Sequence, residues 1–171
     1  MNAEDLYSRL VQILEDEVGI YRHMLELVRG EKDVLIAANI EAINENNRAK
    51  EMMITRLRSL ERVRVSVVDQ LLIALKKPEH QGRLLDLALL FDGEKGEKLR
   101  TIHSTLELMI NRIREFNEAN AKLVHSALKT FEGSMNDLRK NLADNRLYKK
   151  KGQGGEVQST TTSGQFISKE A

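Results

Sequence analysis

The chain has 171 residues, with 27 basic and 26 acidic side chains, no cysteine, no tryptophan and one proline. This length suits a single domain, and the missing cysteine excludes disulfides, thiol nucleophiles and thiolate metal sites. With 4% aromatic and 31% charged residues, the core must be aliphatic, as in long solvated helices. The near-zero net charge favours neither nucleic acid nor an anionic membrane as a partner. An acidic N-terminus and the lack of an apolar run of ~20 residues predict a soluble intracellular protein without membrane insertion.

The first predicted helix spans about residues 3 to 37. From Tyr7 onward, apolar residues recur at alternating steps of four and three, which is a heptad seam. A second apolar seam lies one position earlier and is broken by Glu17, so the stripe is wide enough to require two neighbouring helices. Asn2 is the expected N-cap, and Gly30 weakens the pattern without ending it.

A second long helix and a short one follow. Asn39 predicts the N-cap of a helix over about residues 40 to 76, which Pro78 ends because proline disfavours helical geometry in the residue before it. The apolar stretch over residues 84 to 91 predicts a short helix, closed by the turn-forming pair Asp92 and Gly93.

The last helix begins near Glu94 and carries the longest apolar pattern. Its first seam comprises Leu99, Ile102, Leu106, Met109, Ile113, Phe116, Asn120, Leu123 and Ala127. The apolar face then continues on a neighbouring seam at Val124, Leu128, Phe131, Met135, Leu138 and Leu142. The helix is therefore predicted to reach about residue 145.

Together these elements predict an all-α fold, an elongated antiparallel helical bundle or coiled coil of three long helices plus one short helix. We expect a helical domain over residues 1 to 148 and a disordered polar tail over residues 149 to 171, where Lys, Gly, Ser and Thr dominate. The first two long helices would measure roughly 50 Å and the last roughly 75 Å. The end of the last helix should therefore lack partner helices, unless it folds back at Gly133, and its apolar residues predict an interaction site.

Four polar residues interrupt the predicted seams: Lys50, Arg64, Asn117 and Asn120. A polar residue in a bundle seam commonly fixes the register of the helices at some cost in stability. Contact with a partner is the alternative function for the same residues. The sequence leaves both open.

The sequence gives little support for catalysis. No Glu lies three positions before any of the four histidines, so the Glu-x-x-His motif of di-metal bundles is absent, and phosphate-binding and nucleophile-elbow motifs are absent too. We therefore expect no catalytic residues, no metal site and no cofactor. The basic cluster of Arg146 and Lys149 to Lys151 is interpreted as cations complementing a helix C-terminus in preference to a docking patch.

The spacing resembles that of the FlgN family of flagellar export chaperones over about residues 6 to 152. The shared pattern ends in a pair of asparagines and a late tyrosine followed by glycine. It comprises Leu14, Glu17 and Tyr21, the turn Asn39-Ile40-Glu41-Ala42, Lys50 through Leu57, Leu60, Glu61 and Arg64, then Asn117-x-x-Asn120-x-x-Leu123-Val124, Tyr148 and Gly152.

The resemblance implies a cytoplasmic, non-enzymatic chaperone that holds the hook-filament junction proteins, FlgK-like and FlgL-like, by their C-terminal segments before secretion. It further implies delivery to the export gate through an FlhA-like cytoplasmic domain, with Tyr148 as the docking residue. The client would then occupy the apolar end of the last helix and the two asparagines. The expected client-binding residues are Asn117, Asn120, Val124, Leu128, Phe131, Met135, Leu138 and Leu142.

Two other classes stay open at this point. In a self-associating coiled-coil scaffold or regulatory adaptor, the same apolar surface would be the oligomer interface, and a homodimer of the client-free chaperone would use it as well. A metalloenzyme would require bound metal in the purified protein. Light scattering with and without a client peptide separates a scaffold from a chaperone.

Overall fold

The structure is a computed structural model that describes the backbone of residues 2–151 and the side chains of residues 2–143. Over this range the chain forms four α-helices and no strand, which confirms the predicted all-α fold of three long helices and one short helix. The helices are α1 (Ala3–Ile36), α2 (Ile40–Ala74), α3 (Leu84–Leu90) and α4 (Gly93–Lys151). The predicted tail begins inside α4, and residues 152–171 lie outside the described residues.

The chain divides into two compact units. The first unit is Met1–His125 and the second is Ser126–Ala171. Helices α1, α2 and α3 belong to the first unit, and α4 contributes to both.

Both predicted asparagine caps are present. The Asn2 side chain accepts a hydrogen bond from the backbone N–H of Asp5 at 2.8 Å, and the Asn39 side chain accepts one from Ala42 at 3.0 Å. Each cap satisfies a backbone N–H that the first turn of a helix leaves without a partner. Between them, Ala38 adopts a positive φ of 49°, so the chain reverses within three residues and α2 runs antiparallel to α1.

Helix α2 ends two residues before the predicted position, at Ala74. Lys76 has a φ of 57°, its N–H bonds to the carbonyl of Ile73, and the N–H of Lys77 bonds to the carbonyl of Leu72. These are the two bonds of a Schellman motif, in which the helix ends on a left-handed residue. The motif usually uses glycine, so a lysine in this place gave no sequence signal, and Pro78 only prevents the helix from resuming.

Hydrogen bonds and ion pairs fix the helix directions in the first unit. The Tyr7 hydroxyl donates to the carbonyl of Lys95 at 3.0 Å, and Lys98 pairs with Glu15 at 2.8 Å, so α1 and α4 start at the same end. Because α2 is antiparallel to α1, the three helices run up, down and up.

Two clusters of buried side chains form the core. The larger lies where α1 and α4 begin and α2 ends, and it is closed by Leu87 and Ala88 of α3. Leu10, Leu14, Leu71 and Leu99 are among its most deeply buried side chains. The smaller cluster, of Met24, Val28 and Ile113, lies further along α1 and α4.

Candidate functional site

The described part of the second unit exposes a row of large apolar side chains. We define the α4 stripe as Leu128, Phe131, Met135, Leu138 and Leu142, whose exposed fractions are 56%, 64%, 36%, 53% and 57%. Steps of three and four place these residues on one face of the helix. Val124, the preceding residue of the predicted seam, belongs to the first unit and is 40% exposed.

The exposure changes at one point along α4. The first seam of the helix is buried or half-buried from Leu99 to Leu123, as predicted, whereas Ala127 is exposed. From Val124 to Ala143 every described side chain is exposed. The stripe therefore carries the composition of a helix interface without being covered by any described residue.

Asn120 and Asn117 lie in different surroundings, although both were predicted as polar residues that interrupt a seam. Asn120 is buried, and its Nδ2 donates to the carbonyl of Val28 and to Oε2 of Glu31, each at 3.0 Å. Asn117 is exposed, so it does not lie in the buried seam with Asn120. It directly follows Phe116, and one residue turns a helix by about 100°, away from the seam.

Asn120 belongs to a polar cluster that joins three helices. Glu31 of α1 accepts the bond from Asn120 of α4, and its other oxygen pairs with the Lys50 ammonium of α2 at 2.6 Å. Lys50 was predicted to lie in a seam, and it is half-buried there. The asparagine amide is thus used within the bundle, as a residue that fixes helix register would be.

A second polar cluster lies midway along α1. The Glu17 carboxylate is 3.4 Å from Nε of Arg64, whose Nη2 is 2.5 Å from Glu61. Burial raises the pKa of Glu17, and the positive charge of Arg64 opposes that rise less strongly. Tyr21, one turn further along α1, has a raised pKa because of burial and the neighbouring charge of Glu17. Glu17 therefore interrupts the second seam of α1 as a buried carboxylate that pairs with Arg64.

The residues of this second cluster also line a groove that the sequence did not predict. The groove lies between α2 and α4, over α1, and its volume is about 850 Å³. Leu14 and Tyr21 of α1, Leu57 of α2, and Leu106 and Ile110 of α4 give it an apolar floor. The wide apolar face of α1 predicted that two helices pack against it. It did not predict that those two helices leave a groove between them.

Tyr148 was predicted to dock the export gate. It lies in the last turns of α4, where the structure describes the backbone but not the side chains. The same holds for the basic cluster of Arg146 and Lys149 to Lys151. Within residues 2–143, no group of three or more His, Cys, Asp or Glu side chains is arranged to hold a metal ion. None of the described helices is both long and apolar enough to cross a membrane.

The described residues thus define a helical-bundle protein whose exposed apolar surfaces are of the kind that bind another polypeptide. A model of the family described as FlgN protein matches residues 1–155. Because this match covers most of the 171 residues, the chain belongs to the FlgN family, a family of flagellar export chaperones. Searches of curated proteins and of solved structures found no match.

Proposed function

We propose that this protein is a cytoplasmic chaperone for the hook-filament junction proteins, FlgK-like and FlgL-like. It binds their C-terminal segments, prevents their premature assembly and delivers them to the FlhA-like cytoplasmic domain of the export gate. Membership of the FlgN family supports a role in flagellar export. The exposure of the α4 stripe is the observation that carries the proposal for a client-binding surface.

The stripe has the pattern and length of a helix-binding surface. Its five residues span 15 positions of α4, which is about 22 Å or four helical turns. The heptad spacing lets a second amphipathic helix pack its own apolar residues between those of the stripe. The client segment is proposed to be disordered alone and to become helical on this surface. The entropy cost of this ordering reduces the net binding free energy, which keeps the complex reversible.

The two asparagines have different parts in this proposal. Asn117 is exposed on α4 and free of the constraint that holds Asn120, so it is the one that would contact a client directly. Asn120 would act through the bundle, by holding α4 against α1 in one register. Val124, an exposed residue of the first unit, is proposed as a further client-binding residue.

The client surface is tested by titrating the full-length protein with a synthetic C-terminal peptide of a junction protein. Phe131→Ala and Leu138→Ala should each weaken binding by roughly 1 to 3 kcal/mol, because each removes a buried anchor of the complex. Leu108→Ala is the matched control, since Leu108 is a 62% exposed leucine of α4 outside the stripe. Unchanged affinity in both stripe variants would place the client elsewhere.

The same surface could instead join two copies of the chain. In the client-free state an exposed heptad stripe favours a homodimer, and in a scaffold that dimer would be the functional form. Light scattering across a client titration decides between them. A chaperone should convert to a defined complex with client, whereas a scaffold should keep its oligomeric state.

Gate docking is proposed for Tyr148, on the family resemblance alone. Tyr148→Ala should leave client binding intact and weaken recruitment of the loaded chaperone to the FlhA-like domain. Phe131→Ala serves as the reciprocal control, because it should weaken client binding first. Loss of client binding with normal gate binding in Tyr148→Ala would reverse the assignment.

A further inference from the structure

The groove between α2 and α4 lies wholly in the first unit and shares no residue with the α4 stripe. It is open along the surface of the bundle, and on α4 its lining extends from His103 to Arg114. Twelve helical residues measure about 18 Å, or three turns. The groove therefore has the extent of a short helix lying between α2 and α4.

The floor of the groove is apolar but incompletely covered. Leu57, Leu106 and Ile110 are half-buried, whereas Leu14 beneath them is fully buried. An apolar partner placed on the three half-buried side chains would remove more of their surface from water, which is favourable. The chemistry of the floor thus suits the apolar face of an amphipathic segment.

The rim of the groove carries arginines without described partners. Arg58 and Arg62 lie one turn apart on α2, and Arg114 lies on α4. Within residues 2–143, the only pairing among these three is a 3.5 Å contact from Arg114 to the Asn111 side chain, and no carboxylate comes within 4.0 Å of them. Arg64, by contrast, is held by Glu17 and Glu61.

The acidic residues of the lining restrict the kind of partner. Glu61 and Glu107 lie on opposite walls among the arginines. A continuous polyanion such as nucleic acid has a charge at every unit and would place phosphates beside these carboxylates, which opposes binding. A peptide helix can place its acids opposite the three arginines and its apolar residues on the floor.

We propose that this groove is a second docking surface, which takes an acidic amphipathic helix of a partner protein. The floor leucines and Ile110 would receive the apolar face, and Arg58, Arg62 and Arg114 would pair with carboxylates on the two edges of that helix. The proposal does not depend on the client surface, because the two share no residues.

Two synthetic 14-residue amphipathic peptides test the proposal. They have the same leucine face, but at the positions flanking that face one has glutamate and the other lysine, and the remaining polar positions of both are glutamine. Binding of each labelled peptide to the full-length protein is followed by fluorescence anisotropy in 50 mM salt. We expect the acidic peptide to bind at least tenfold more tightly, and its affinity to fall in 500 mM salt because salt screens the charges. Equal affinities, or no binding of the acidic peptide at millimolar protein, would overturn the proposal.

Variants then locate the site. Arg58→Glu combined with Arg62→Glu should weaken binding of the acidic peptide at least tenfold, and Glu107→Lys should strengthen it. The control combines Arg9→Glu with Arg22→Glu, two exposed residues of α1 outside the groove, with the same change of net charge. This control should stay within twofold of the wild type.

Three outcomes would contradict the groove as the site. The control variant could lose as much affinity as the groove variant, which would indicate a general charge effect. Phe131→Ala with Leu138→Ala could abolish binding, which would place the peptide on the stripe. Sedimentation could show a dimer that the groove variant dissociates, which would make a second copy the occupant.

Discussion

Nδ2 of Asn120 lies 3.0 Å from Oε2 of Glu31, although the two residues are 89 positions apart in the chain. The bond joins α4 to α1 at a buried point, and Lys50 adds α2 through the second oxygen of the same carboxylate. Sliding α4 along α1 by one turn would leave the Asn120 amide, and the Glu31 oxygen that it binds, without their partners. The pair therefore selects one register of the bundle.

Truncating Asn120 should measurably destabilise the first unit. Asn120→Ala leaves one oxygen of the buried Glu31 carboxylate without its donor, so we expect the free energy of unfolding to fall by about 1–3 kcal/mol. Asn117→Ala, three residues earlier on the same helix, should change it by less than about 0.5 kcal/mol because Asn117 is exposed. Urea unfolding followed by circular dichroism measures both. Equal losses of unfolding free energy in the two variants would mean that the hydrogen bond from Asn120 to Glu31 does not stabilise the first unit.

The pKa of Glu17 predicts a dependence of stability on pH. Burial raises this pKa above the ordinary value of 4.5, so the folded protein binds the proton more tightly than the unfolded chain does. The contribution of Glu17 to the free energy of unfolding must then fall as the pH rises through the window above 4.5. Relative to Glu17→Gln, the wild type should lose stability as the pH rises above 4.5.

The measurement for Glu17 is urea unfolding at several pH values in that range. Glu61→Gln is the matched control, because it removes the exposed carboxylate that contacts the same arginine. Only Glu17→Gln should change the pH dependence of stability, since Glu17 is the carboxylate whose charged form is destabilised by burial. Parallel pH profiles for the two variants would show that Arg64 compensates fully for the burial of Glu17.

Local signals in the sequence predicted much of this fold. The caps at Asn2 and Asn39 need only residues within three positions, and the seam from Leu99 to Leu123 needs only helical periodicity. The early end of α2 was missed because Lys76 adopts a left-handed conformation that the sequence pattern reserves for glycine.

The site was less predictable because it depends on how helices lie side by side. Helical periodicity predicted that the stripe residues share one face of α4. In the structure they are exposed, because no described residue packs on that face. Periodicity could not show that Asn120 would use its amide on Glu31, since that contact joins distant parts of the chain. The groove depends on the space between α2 and α4, which no single-helix pattern encodes.

Stability and binding should separate at the stripe. Leu10 is fully buried, so Leu10→Ala should cost about 2–5 kcal/mol of unfolding free energy through the lost burial and the cavity left behind. Leu138→Ala should cost less than about 0.5 kcal/mol, because that side chain is already in water. Thermal unfolding of both variants is the measurement. A large loss of stability in Leu138→Ala with unaltered client affinity would identify the stripe as core.

Two glycines of α4 should respond in opposite ways to alanine. A Cβ on Gly96 would lie 2.7 Å from the carbonyl oxygen of Ala88 and would also overlap that of Phe91, so the end of α3 can lie against α4 only because this residue is glycine. These are backbone atoms and cannot rotate away. Gly96→Ala should therefore lower the melting temperature of the first unit.

A Cβ on Gly133 meets nothing within 4 Å, and the residue lies inside the continuous helix α4. Gly133→Ala should therefore stabilise α4 locally by about 0.5–1 kcal/mol, the difference in helix propensity between the two residues. Hydrogen exchange of the amides around residue 133 measures this, and exchange there should slow. Client affinity should stay the same or rise, because a straight helix presents the whole stripe. If Gly133→Ala instead weakened client binding while slowing exchange, the client would require a bend at Gly133, and the straight stripe would not be the binding conformation.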